Sequence, residues 1–215
     1  MSIRYARQEA LWGEEGQRKL SDAHVAVIGA GGLGSPALLY LAGAGVGRTS
    51  LFDDDVVSPS NLHRQVIHTT AAIGTPKTDS AAAAVRALNP EVGITCHGRL
   101  ESATALKQLR GCDLLLDGTD NFATRYLVND ACVLAGLPLV WASILRFDGQ
   151  ASVFWAQHGP TYRDLHPVPP QPGSVPSCAE AGVLGALPGM LGSTLAMEAM
   201  KLIMGTGVTL LGRLS

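Results

Sequence analysis

His24-Val25-Ala26-Val27-Ile28-Gly29-Ala30-Gly31-Gly32-Leu33-Gly34 is the stretch that decides the fold. A short apolar strand runs straight into Gly29-x-Gly31-x-x-Gly34, and Ser35 to Ala44 reads as the helix behind it. A strand before and a helix after is the context this glycine pattern requires. The first glycine permits a tight turn, the second lets phosphate approach the backbone, and the third lets helix and strand pack closely. Amides at the helix N-terminus then favour an anion. Thr49 to Phe52 forms the next strand and ends at Asp53, where a carboxylate ordinarily bonds ribose hydroxyls. The loop alone does not separate NAD, FAD, S-adenosylmethionine and ATP. No Gly-x-x-x-x-Gly-Lys-[Ser/Thr] run occurs, so this is not a P-loop NTPase.

Polar residues downstream narrow the choice. Asp53, Asp55, Asn61, Arg64 and Gln65 follow the second strand, with Lys77 close behind. Asn61 and Arg64 are three apart, so one helical turn places them on one face. Arginine offers a planar fork suited to phosphate oxygens. Thr75-Pro76 opens a helix, with threonine as cap and proline in the first turn, and puts Lys77 at its start. A cation there opposes the helix dipole. It is either a solvated surface lysine or one that shares a polyanion with the helix end. Two cations and an amide beside the loop suit a triphosphate better than a dinucleotide, and an ATP-dependent enzyme that activates a carboxylate is expected. Further on, Leu114-Leu115-Leu116-Asp117-Gly118-Thr119-Asp120-Asn121 is a buried strand running into acids. Asp120 either holds Mg²⁺ against phosphates or caps the helix that starts near Asn121.

The pattern predicts an α/β fold: a Rossmann-like, doubly wound, mostly parallel sheet with helices on both faces, extended by C-terminal strands and a long crossover loop. A single domain over 1–215 is expected, with a helical segment at 1–22, a core at 23–158, a loop at 159–182 and a helix and strand at 183–215. Residues 4–20 read as one or two helices broken at Gly13 and Gly16. Strands are expected at Val92 to Cys96, Leu114 to Leu116, Leu139 to Ala142 and Gln150 to Trp155. Helices are expected at Ala103 to Leu109, Phe122 to Ala135 and 185–204. Gly159 to Pro176 holds six prolines, which leaves no room for a regular element.

Hydrophobic residues make up 47% and charged residues 16% of the 215. That excess suits a sheet buried on both faces or a surface hidden in an oligomer. A net charge of −2 and the lack of a basic run give no pull toward nucleic acid. The N-terminus is charged and is not a secretory signal. Val183 to Met197 is fifteen residues long and contains Pro188, so it does not span a bilayer. A cytoplasmic protein without membrane contact is expected. Cys96, Cys112, Cys132 and Cys178 include no Cys-x-x-Cys pair. The first three fall in strands or helices and read as core residues.

Taken together, the motifs resemble the ThiF/MoeB/HesA family, bacterial relatives of ubiquitin-activating enzymes. The likeness covers nearly the whole chain. Its landmarks are Arg4-Tyr5-Ala6-Arg7-Gln8, the glycine loop, Asp53-Asp54-Asp55, Ser60-Asn61-Leu62-His63-Arg64-Gln65, Gly74-Thr75-Pro76-Lys77, Asp117-Gly118-Thr119-Asp120-Asn121 and Cys178-Ala179-Glu180-Ala181-Gly182-Val183. The resemblance implies ATP on Gly29, Gly31, Gly32 and Gly34, with Asp53 on the ribose. It places Asn61, Arg64 and Lys77 on the phosphates, within a run from Ser60 through Leu62, His63 and Gln65. Asp120 would bind magnesium beside Asn121, and Arg7 would reach across a homodimer into the partner's site. The implied substrate is the C-terminal Gly-Gly carboxylate of a small ubiquitin-like sulfur carrier of the MoaD/ThiS type, adenylated ahead of thiocarboxylate formation in molybdopterin or thiamine biosynthesis. Cys178 resembles a cysteine that forms a covalent link to the carrier in some relatives. Many relatives hold zinc with two Cys-x-x-Cys pairs; here Thr161-Tyr162-Arg163-Asp164 stands at the first pair's place, so no zinc is expected.

Two rivals remain at this point. A nicotinamide-dependent oxidoreductase explains the loop and Asp53 but not Arg64, Lys77 and Asp120 together. A non-catalytic partner of a ubiquitin-like protein leaves the intact nucleotide residues without a use.

Overall fold

Alternation along the strands builds two layers around one sheet. Val25 and Val27 of β1 (His24–Ile28) face one side, and Ala26 and Ile28 face the other, because successive side chains point to opposite faces. The same alternation holds in β4 (Leu114–Asp117), where Leu114 and Leu116 oppose Leu115. It recurs in β5 (Leu139–Leu145), where Val140 and Ala142 oppose Leu139 and Trp141. The structure is a computed structural model that describes residues 3–171, 174 and 182–215. Cys178 lies outside the described residues.

With β2 (Arg48–Phe52), β3 (Gly93–His97) and β6 (Asp148–Phe154), the sheet runs in the order β3-β2-β1-β4-β5-β6. All pairings are parallel except β5 with β6. One face carries α1 (Ala6–Asp22), α2 (Gly34–Ala44), α3 (Lys77–Leu88) and α7 (Ala186–Met204), whose apolar residues join one core. The other carries α4 (Ala105–Gln108), α5 (Phe122–Ala135) and α6 (Tyr162–Leu165). This is the doubly wound arrangement expected. From β1 the chain winds outward through β2 and β3, then returns to place β4 on β1's other side. The crevice between the carboxyl ends of β1 and β4 is therefore the switch point at which such sheets bind ligands.

Four local expectations need correction. The N-terminal helix bends at Gly13, which has φ 70°, but runs unbroken through Gly16. Pro76 itself occupies the cap position of α3, while the Thr75 hydroxyl donates backward to the Ala72 carbonyl at 2.7 Å. The proline-rich stretch is not wholly irregular. Thr161 and Asp164 form a capping box that starts α6, and the buried Tyr162 ring packs against Tyr126, Trp141 and Phe154. No named strand follows α7 among the described residues. The chain returns beside β6 through a single bridge from Leu211 to Val153 and paired backbone bonds between Ala151 and Ser215. Gly207 and Gly212, both at positive φ, keep that segment from extending.

No helix among the described residues is long and apolar enough to cross a membrane.

Candidate functional site

Three glycines close the floor of the crevice. Gly29 turns the chain out of β1 at φ 92° and donates its N–H to the Phe52 carbonyl at 2.8 Å. A Cβ on Gly34 would overlap the Gly29 carbonyl, and one on Gly118 would come within 3.1 Å of the Gly34 nitrogen. Both are required by backbone packing. Gly31 and Gly32 differ: they line the crevice, and a Cβ on Gly31 would meet nothing closer than 3.8 Å. Gly31 therefore leaves open space in the crevice, whereas a Cβ on Gly32 would come within 3.1 Å of the Pro188 ring.

Around that floor the structure gathers Asp53, Arg64, Gln65, Lys77, Asp120 and Asn121. Each comes from a loop at the carboxyl end of a strand or from the helix that follows it. The Asp53 carboxylate accepts from Ala30 N–H and from Asp55 N–H, both at 2.8 Å. It braces the loop as well as facing the crevice. Ser60, Asn61, Leu62 and His63 are not brought to the lining. The Asn61 side-chain oxygen accepts from Ser58 N–H at 3.0 Å, in a capping box around Pro59–Asn61 that aims Arg64 inward. Gly34 is shielded by packing, and Arg7 is exposed at the start of α1, outside its own chain's crevice.

Lys77 resolves its conflict with the helix dipole through Asp55. The lysine is only 6% exposed, and its Nζ lies 2.8 Å from Asp55 Oδ2. Asp120 does not cap α5. Asn121 does, accepting from Thr124 N–H at 2.8 Å, which leaves the exposed Asp120 carboxylate at the crevice. Among the described residues the tightest acidic cluster is Asp53, Asp54 and Asp55, and Asp120 is not part of it.

Beneath the crevice, Asp117 is fully buried. Its Oδ1 accepts from the Thr119 N–H at 2.9 Å and hydroxyl at 2.7 Å, while Oδ2 has no partner among the described residues. Burial pushes its pKa up, against the pull of Arg125 and the Thr119 bonds. A raised folded-state pKa means that the folded state is penalised as pH climbs past the unfolded carboxylate value of about 3.9. Asp117→Asn keeps the Oδ1 acceptor and has no charge to bury. Its melting temperature relative to wild type is expected to rise between pH 4 and pH 7.5. A difference that is flat or falls with pH would contradict this.

The site therefore holds four cations (Arg64, Lys77, Arg99 and Arg125) around a glycine floor that leaves room for phosphate. A family model described as "ThiF family" matches residues 5–215. The chain belongs to the ThiF family. It is 56% identical over 218 residues to "Probable adenylyltransferase/sulfurtransferase MoeZ" of Mycobacterium tuberculosis, covering 98% of this chain and 56% of that one. It is 52% identical to "Sulfur carrier protein adenylyltransferase" of Thermus thermophilus, covering 98% of this chain and 81% of that protein. The chain thus spans little more than half of the first of these relatives. In fold it is similar to the crystal structure of E. coli MccB, with a TM-score of 0.86 at 21% identity over 99% of this chain and 65% of that one.

Sequence reasoning about this ThiF-family chain missed Arg99 and Arg125. Arg99 follows β3 closely, pairs with Asp54 at 3.1 Å and faces the crevice. Arg125 lies one turn beyond the Asn121 cap, with its guanidinium 5.2 Å from the centre of the Phe122 ring. Position at the carboxyl edge of a parallel sheet was the available signal for both.

The three described cysteines are free. Burial pushes the Cys112 thiol up to about 11, and raises Cys132 as well. Thiolate is the reactive form. Alkylation of native protein at pH 8 should leave Cys112 and Cys132 at least about 100-fold slower than in denaturant, as read by peptide mass spectrometry. Labelling of Cys112 at the unfolded rate would contradict the assigned burial.

Proposed function

We propose that this chain adenylates the C-terminal Gly-Gly carboxylate of a small ubiquitin-like sulfur carrier, using ATP. One observation carries the reading: four cations and the Asp120 carboxylate, which has no hydrogen-bond or ion-pair partner among the described residues, converge on a glycine floor at the switch point. The names of the relatives, among them "SAMP-activating enzyme E1" of Haloferax volcanii, support it. In the reaction a carboxylate oxygen attacks the α-phosphorus, the bond to the bridging oxygen breaks, and pyrophosphate leaves. Charge neutralisation and alignment are what this step needs. Arg64 and Lys77 meet the phosphates, Asp53 the ribose, and the backbone of Gly31 and Gly32 gives close approach. Arg99 and Arg125 add positive potential at the rim and floor. Asp120 offers a hard oxygen ligand that fits Mg²⁺, which prefers one or two carboxylates plus phosphate oxygens. When bound, the ion would neutralise phosphate charge.

A homodimer completes the proposal. Leu11, Tyr40, Met190 and Met197 are large, exposed apolar side chains on α1, α2 and α7, and a second copy would cover them. Arg7 stands outside its own crevice, as an arginine serving the partner's site must. Subunits carrying Arg7→Ala and subunits carrying Asp120→Ala should each be inactive alone. Mixed, they should recover up to about a quarter of wild-type activity, because random pairing makes half the molecules hybrids with one intact site. No recovery would remove Arg7 from the site. The chain is further proposed to be cytoplasmic and to hold no structural zinc; one zinc per chain by metal analysis would refute the latter. Cys178 stays a proposed covalent link to the carrier.

The reading is tested by incubating a carrier that ends in Gly-Gly with the protein, ATP and magnesium. Intact-mass analysis should show the carrier increased by one adenylyl group. NAD binding with no adduct would instead favour the oxidoreductase rival.

A further inference from the structure

His68 is 6% exposed, and both of its ring nitrogens are engaged. Nε2 lies 2.9 Å from the Ala30 carbonyl oxygen, and Nδ1 lies 2.9 Å from the Ser80 hydroxyl on α3. A carbonyl only accepts, so the network assigns the proton to Nε2, and Nδ1 accepts from Ser80. Burial lowers the basicity of the ring, and the neighbouring Lys77 lowers it further. A neutral ring in a single tautomer is thus wedged between α3 and the glycine loop.

The Ala30 carbonyl belongs to the peptide that ends at Gly31 N–H. In a trans peptide the two groups point in opposite directions. Holding the oxygen on His68 therefore aims the Gly31 N–H away from that ring. Gly31 borders the crevice, and its N–H has no acceptor among the described hydrogen bonds. The preceding peptide is fixed too, because Ala30 N–H donates to Asp53. Both peptide planes flanking Ala30 are thus held by side chains, one from the end of β2 and one from the segment leading to α3.

We propose that His68 is a positioning residue: through the Ala30 carbonyl it presents the Gly31 amide as a hydrogen-bond donor to a phosphate of the bound nucleotide. The inference rests on the ATP reading above and adds the device that pre-orients the floor. Without it, the Ala30–Gly31 peptide can rotate, and the donor must be re-aligned on each binding event.

Calorimetric titration of ATP and of adenosine tests this. A hydrogen bond to a charged phosphate corresponds to about tenfold in affinity or more. His68→Gln places an amide donor near the Nε2 position and should keep the ATP Kd within about threefold of wild type. His68→Asn reaches only the Nδ1 position and should raise the ATP Kd about tenfold, with adenosine binding unchanged. Equal losses for ATP and adenosine would reduce His68 to a packing role and overturn the proposal. So would wild-type ATP affinity in His68→Asn. A wild-type protein that binds no ATP would instead overturn the nucleotide reading beneath it. Where the variants do not fold, wild-type ¹⁵N-labelled protein decides: the Gly31 amide proton should move downfield with ATP and not with adenosine. An unmoved resonance would overturn the proposal.

Discussion

Lys77→Ala is expected to lower ATP–pyrophosphate exchange by about 10²- to 10³-fold, the loss that follows removal of one transition-state charge stabiliser, and to leave the fold intact. The structure separates these two effects. Lys77 Nζ is buried against the crevice, while its partner Asp55 has a side chain 70% exposed. Removing the lysine leaves the aspartate in water, so no orphaned charge remains inside the protein. An ion pair with so exposed a partner is worth about 1 kcal/mol or less. The opposite change, Asp55→Ala, leaves the ammonium facing the crevice and should alter exchange far less. Exchange rates read alongside a circular-dichroism melt check both statements. Near-normal exchange in Lys77→Ala would remove this lysine from the phosphate site.

Gly34→Ala costs about 3 kcal/mol or more, at the upper end of what overpacking does. Its new methyl group would overlap the Gly29 carbonyl. Gly29 is held in place, because its N–H donates to the Phe52 carbonyl at 2.8 Å. Gly31→Ala is the control. Its methyl group meets only ordinary van der Waals neighbours at 3.8 Å and beyond, but it would narrow the proposed approach of phosphate. The first variant should lose melting temperature with or without nucleotide. The second should melt like wild type and bind ATP weakly. Thermal melts and ATP titration of the pair distinguish packing glycine from ligand glycine. A Gly34→Ala protein with wild-type stability would show the close approach to be misplaced.

Much of this architecture is legible in the amino-acid sequence, for definite reasons. Strand β1 and the glycine loop carry a local pattern that fits one supersecondary unit. Asp53 and Asp120 follow the ends of parallel strands, so topology alone brings them to one crevice. Asn61 was harder. Spacing put it on the face of Arg64, but its side-chain oxygen satisfies a backbone donor three residues away, a competition that periodicity does not register. The pairing of Lys77 with Asp55 spans a loop whose path no local rule specifies. Arg99 and His68 share one reason for escaping notice: each gains its meaning from a partner distant in sequence. The α6 turn was hidden by the prolines around it, although its Thr161–Asp164 box is a readable start signal.

The central claim is that this crevice adenylates a carrier carboxylate. ATP–pyrophosphate exchange with labelled pyrophosphate, magnesium and a panel of carriers ending in Gly-Gly tests it most directly. Exchange that depends on one of these carriers, and is lost when its terminal glycine is removed, is the predicted result. Tight ATP binding with no exchange in the presence of any carrier would contradict it.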